Sequence, residues 1–101
     1  MEQIFKEHWA KMSQLDDYRR EIDKYTDEIV ELIATREELC RKIGQYKSAE
    51  GLPTYDANRE TEIFNRVEKR ARELGLDKED RKFLKDVFRL IMRRSRNIQD
   101  S

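Results

Sequence analysis

The sequence is short of the residues that build most specialised proteins. Its 101 residues hold one cysteine, one proline, one histidine and three glycines, and 22 Lys and Arg balance 22 Asp and Glu to a formal net charge of zero. The single cysteine, Cys40, excludes a disulfide framework and fits a reducing, cytoplasmic setting. The single histidine, His8, has no cysteine or carboxylate beside it at a metal spacing, so neither a metal site nor a catalytic triad is expected. No run of about 18 apolar residues is present, and no membrane span is expected. No basic stretch leads into an apolar one near the start, so no signal peptide is expected. The balanced charge makes no case for a nucleic-acid partner, which calls for a basic excess. The length suits one domain spanning 1–101.

What is abundant is charge, set on a helical period. Charged residues make up 44% of the chain, against roughly 25% in an average soluble domain. Hydrophobic residues are still 37%, and they recur at spacings of three and four. Leu15, Tyr18, Ile22, Tyr25, Ile29, Leu32, Leu39, Ile43 and Tyr46 follow a 3.5-residue repeat, with Phe5, Trp9 and Met12 continuing it upstream. Opposite charges four apart, such as Glu7 with Lys11, Asp16 with Arg20 and Glu37 with Arg41, support the outer face. The spacing predicts one helix over about 4–48. Gly51 and Pro53 make 49–56 a loop. Asp56 is suited to cap a second helix over about 57–74, on the face Ile63/Phe64, Val67, Ala71 and Leu74, with Gly75 as its stop. Asp77 is suited to cap a third over about 78–99, on Phe83/Leu84, Val87/Phe88, Ile91 and Ile98. The fold class is all-α, with one very long helix and two shorter ones.

The long helix implies a partner. About 45 residues of helix span roughly 65–70 Å at about 1.5 Å per residue. A compact domain of about 100 residues has a radius of gyration near 13 Å. Two short helices cannot cover so long a seam, so a homodimer with the long helices packed together is expected. A kink folding the segment into a compact bundle is the alternative, though nothing breaks the repeat midway.

Polar residues interrupt the seams at a few places. Position 36 in the series 29, 32, 36, 39, 43 is arginine, and Lys47 lies one turn beyond Ile43. The second helix's stripe 60, 64, 67, 71, 74 starts at Glu60. The third helix's stripe contains Ser95, with Gln99 four residues on. Such groups cost several kcal/mol if buried without partners, so they must meet each other, water or a ligand. One reading is a structural network, with an Arg36–Glu60 pair setting register. Against it, Arg36, Lys47 and Arg59 face only Asp56 and Glu60. A surplus of inward cations suits an anionic ligand, and arginine suits carboxylates in particular.

These residues also resemble a known family. Arg19 followed by Ile22-Asp23, Ile29 to Leu32, Arg36-Glu37-Glu38-Leu39, Lys47, Pro53 and Asp56-x-x-Arg59-Glu60 is similar to the all-helical (type II) chorismate mutases. Leu90-Ile91, Ser95 and Gln99 match the family's last helix, and the resemblance covers about residues 15–99. It implies an intertwined homodimer of three-helix chains that rearranges the small dianion chorismate to prephenate, a step of aromatic amino-acid synthesis, without metal or cofactor. By motif, Arg36 and the partner copy's Arg19 would grip the two substrate carboxylates. Lys47 and Gln99 would donate to the ether oxygen, and Glu60 would accept from the ring hydroxyl. Asp56 would close the loop beside that hydroxyl, Ser95 would contact a carboxylate, and Arg59 would support the site.

Other readings stay beside this one. The isochorismate-pyruvate lyases share the fold and the carboxylate clamps. A non-catalytic helical dimerisation module is a further class, but it predicts apolar or self-paired residues at 36, 47, 60 and 95. Cys40 reads as a buried structural thiol. Phe5 and Trp9 read as core or dimer-contact residues. The run Arg93-Arg94-Ser95-Arg96 reads as a solvated helix end rather than a phosphate-binding patch.

Overall fold

The computed structural model describes residues 2–101. Among them lie three helices and no strand: α1 Glu2–Glu50, α2 Ala57–Glu73 and α3 Lys78–Asp100. Local chemistry sets the ends. After α1, Gly51 adopts a left-handed φ of 67°, and Leu52 N–H donates back to the Lys47 carbonyl at 2.8 Å. The end of α2 repeats the device. Gly75 has φ 73°, Gly75 N–H donates to Arg72 O at 3.0 Å and Leu76 N–H to Ala71 O at 3.1 Å. Only glycine takes this backbone turn without strain, and it satisfies carbonyls the helix leaves open. Asp56 caps α2 by accepting from Arg59 N–H at 3.0 Å, and Asp77 caps α3 by accepting from Asp80 N–H at 2.8 Å.

The chain divides into two compact units, one ending at Arg36 and the other Glu37–Ser101. In the first, every described residue through Thr35 is exposed. The expected apolar seam, including Phe5, Trp9, Tyr18, Ile22, Ile29 and Leu32, stands open on α1. Its charges pair three apart rather than the expected four: Arg19 with Asp16 at 3.8 Å and Arg20 with Asp17 at 2.5 Å. Both spacings put side chains on one helix face, so an aspartate with two arginines in reach can take either.

The second unit holds the core. Cys40, Gly44, Ala71, Met92, Ser95 and Ile98 are buried, and Ile63, Phe64, Val67, Leu84, Val87, Phe88 and Ile91 are half-buried around them. Cys40 is a free, buried thiol, in line with its sequence reading. Most of the fully buried positions carry small side chains, which lets helices approach closely. A Cβ on Gly44 would lie 2.8 Å from Gln99 Cα. Leu39, Ile43 and Tyr46 of the α1 seam are exposed here too, and on the α2 and α3 faces two residues differ from expectation. Leu74 is exposed because it is the α2 C-cap, where the backbone leaves the helix. Phe83 is exposed, and Leu84 takes the inward place beside it. Met92, which the stripe did not include, is buried instead.

A charged clamp joins α2 to α3. Glu68 receives Lys85 at 2.9 Å, Arg72 at 3.0 Å and Arg81 at 3.5 Å. Chiefly through Lys85, with Arg72 adding to it, this holds the Glu68 carboxyl below its ordinary pKa, against the opposing effect of desolvation. Among the described residues, no helix is long and apolar enough to cross a membrane.

Candidate active site

The C-terminal turns of α1 and α3 lie side by side in the second unit. Lys47, in the last turn of α1, is half-buried. Its ammonium donates to Gln99 Oε1 at 2.9 Å and to the Thr54 carbonyl at 2.9 Å. An ammonium has three hydrogens, so one remains for a further acceptor. The contact also orients Gln99. Lysine can only donate, so the amide oxygen faces it and the two amide N–H donors are left for something else. The glycine turn after Lys47 makes the Thr54 contact possible, because it folds the chain back over the end of α1.

Glu60, half-buried in the first turn of α2, takes Arg96 as its partner. Arg96 Nη2 donates to its two oxygens at 2.9 and 2.7 Å. The Arg96 guanidinium also lies 4.0 Å from the centre of the Tyr55 ring, a cation–π distance. The Glu60 hydrogen bond is the main cause of a guanidinium pKa above its ordinary value. The reading of Arg93–Arg96 as a solvated end thus holds only in part at Arg96, whose side chain is 42% exposed but is tied to α2 and to Tyr55. Arg94 is solvated as expected and also meets Glu37 at 3.3 Å. Neither partner was visible locally, because Glu60 is 36 positions from Arg96 and Glu37 is 57 from Arg94.

The remaining candidates divide clearly. Ser95 is buried, and its hydroxyl donates to the Ile91 carbonyl at 2.8 Å. Asp56 is exposed and spends one oxygen on the α2 cap. Arg59 points outward and pairs with Glu62 at 3.1 Å. A cleft of about 380 Å³ runs beside the loop, lined by Lys47, Leu52, Pro53, Tyr55, Asp56, Ala57 and Asn58. Arg36 and Arg19 belong to the first unit, Arg36 half-buried at its end and Arg19 exposed. Among the described residues, no three His, Cys, Asp or Glu gather to hold a metal ion.

The second unit thus collects one ammonium, one oriented amide and one arginine-paired carboxylate, with the loop between α1 and α2 beside them. The family model for type II chorismate mutases matches residues 18–100. The chain belongs to this family. Family members of several lengths resemble it. The chain is 32% identical over 66 residues to the chorismate mutase of Methanocaldococcus jannaschii, covering 65% of this chain and 67% of that protein. It is 34% identical over 84 residues to the T-protein of Haemophilus influenzae, covering 83% of this chain and 22% of that protein. It is 39% identical over 56 residues to the bifunctional chorismate mutase/prephenate dehydratase of Aquifex aeolicus, covering 55% of this chain and 16% of that protein. The chain therefore spans a small part of the two longer relatives. No solved structure matches it.

Proposed function

We propose that the chain catalyses the rearrangement of chorismate to prephenate, as a single domain over 1–101 working in a homodimer. Membership of the chorismate mutase family supports this, and one geometric fact carries it. Lys47 and Gln99, 52 positions apart, are hydrogen-bonded neighbours with donors to spare.

The reaction breaks a carbon–oxygen bond while a carbon–carbon bond forms. It needs no nucleophile. It needs the substrate held in a compact chair-like shape, and stabilisation of the negative charge that grows on the ether oxygen. The free Lys47 hydrogen and the Gln99 amide are suited to that oxygen. A preorganised donor of this kind contributes about 3–4 kcal/mol in the transition state. Glutamine donates without being protonated, so turnover does not require acid. Arg36 and the partner copy's Arg19 take the two carboxylates. Glu60 accepts from the ring hydroxyl, with Asp56 closing the loop beside it. Ser95 contacts a carboxylate by turning its one hydroxyl hydrogen from the Ile91 carbonyl, and Arg59 supports the site from outside.

The second copy is argued from α1. Leu15, Tyr18, Ile22, Tyr25, Ile29 and Leu32 are all exposed in the single chain. A contiguous apolar face of this kind marks an interaction surface, and a heptad seam is covered by another helix. A small dianion suits the inward cations, and the zero net charge offers nothing to a polyanion or an anionic membrane. The cytoplasm is the setting that keeps Cys40 reduced.

Pure protein mixed with chorismate is the test. Prephenate appears, and the Lys47→Ala variant, still folded by circular dichroism, produces none above background. Pyruvate and salicylate released from isochorismate would transfer the assignment to the lyase. No reaction with either compound would leave a helical dimerisation module.

A further inference from the structure

Arg96 has no role in the mechanism above, yet it is bound into the site from two directions. Its side chain starts beside buried Ser95 on α3 and crosses to α2. There one nitrogen, Nη2, bridges both oxygens of Glu60 at 2.9 and 2.7 Å. The guanidinium carbon lies over the Tyr55 ring, 4.0 Å from its centre, so it also holds the loop that precedes α2. Nε is shut from solvent without an acceptor among the described residues. A surface arginine normally keeps its head group in water. This one gives up hydration at Nε to keep Glu60 and Tyr55, so those two contacts dominate its placement.

We propose that Arg96 is a positioning residue for Glu60, holding that carboxylate in the one orientation from which it accepts the substrate's ring hydroxyl. The inference rests on Glu60 being that acceptor. A glutamate on the first turn of a helix has three rotatable bonds and samples many positions. A single cation bridging its two oxygens removes that freedom. A carboxylate has about four acceptor directions, so the bridge leaves others open for the hydroxyl. Tyr55 then fixes the cation itself, which ties loop, α2 and α3 to one point. The consequence is selectivity: the contribution of Arg96 is realised only through the hydroxyl.

The experiment compares wild type, Arg96→Met and Arg96→Lys on chorismate and on the analogue with hydrogen in place of the ring hydroxyl. Arg96→Met keeps the apolar stem without the charge, and Arg96→Lys keeps a charge without the guanidinium that bridges Glu60 and lies over Tyr55. On chorismate, Arg96→Met lowers kcat/KM by about ten- to a hundredfold, as expected for a misplaced binding group, and Arg96→Lys falls between it and wild type. On the analogue the three proteins agree within about twofold. Equal losses on both substrates would overturn the proposal, since Arg96 would then act on the fold or on another part of the substrate. If Arg96→Met does not fold, Arg96→Lys decides alone: its loss must vanish on the analogue. A wild type inactive on chorismate defeats the function reading and this proposal together. An active wild type with unselective variants defeats this proposal only.

Discussion

Gly44→Ala is the smallest change that reaches the proposed chemistry. The new methyl would lie 2.8 Å from Gln99 Cα, 2.9 Å from its carbonyl oxygen and 3.3 Å from its carbonyl carbon. Carbon atoms rest at about 3.5–4.0 Å. The obstacle is backbone, so no side chain can rotate away, and the end of α3 must retreat by about 0.7–1.2 Å. Lys47 Nζ and Gln99 Oε1 are 2.9 Å apart. A retreat of that size puts them near the limit of a hydrogen bond or beyond it. The stability cost is small by comparison. Alanine in a helix interior is favoured over glycine by about 0.5–1 kcal/mol, which offsets part of the roughly 1–3 kcal/mol of overpacking. Activity should suffer more than stability. Misplacing a catalytic donor by about 1 Å costs on the order of a hundredfold. The expected result is a fall in kcat of that order, little change in KM, and a helical circular dichroism spectrum with a single melting transition. Chorismate consumption measures the rate. A folded Gly44→Ala protein within twofold of wild-type kcat would refute the reasoning, because the close approach would then not position Gln99.

Three other outcomes follow from the same geometry. In Gln99→Glu, the residue at 99 must be protonated to donate, and Lys47 beside it favours the ionised form. Its kcat should therefore rise as pH falls, lying about a hundredfold below wild type near neutrality, and a flat pH–rate profile would count against Gln99 as a donor. Glu68 has a lowered pKa in the fold, so its stabilising contribution is fully present above the unfolded carboxyl pKa of about 4.3 and is lost as pH falls through the folded value. The melting-temperature gap between wild type and Glu68→Gln should accordingly be open at neutral pH and close in acid, and a gap independent of pH would dismiss the clamp. Arg19→Ala and Lys47→Ala are each expected to be inactive. If Arg19 serves the partner copy's site, mixing and reassorting the two restores about a quarter of wild-type activity, because half the dimers regain one of two sites. No recovery after verified subunit exchange would place Arg19 in its own chain's site or in none.

The sequence alone determined where the helices start and stop and which faces are apolar, since these depend on neighbours within about four residues, though not which aspartate each arginine takes. Gly51, Asp56, Gly75 and Asp77 ended and started helices where their backbone and side-chain chemistry requires. The three- and four-residue spacing made the chain all-helical, and the Arg36, Lys47 and Asp56-x-x-Arg59-Glu60 spacing carried the family. The same local logic missed what Arg96 meets, because its two partners come from another helix and from the loop before it. A run of arginines at a helix end looks solvated until a second helix supplies a carboxylate 36 positions away. It also did not reveal why residue 44 is glycine. A single glycine within a helical pattern reads as a weak spot. Only the crossing of α1 and α3, which sets Gln99 backbone against it, shows that a side chain would not fit. Likewise Lys47 and Gln99 were each assignable by motif, but their 2.9 Å contact, and with it the direction of the glutamine amide, was decided by how the helices pack. Helical periodicity specifies which face turns inward. Tertiary packing alone specifies what that face meets, because a change of crossing or register exchanges every partner while leaving the stripe unchanged.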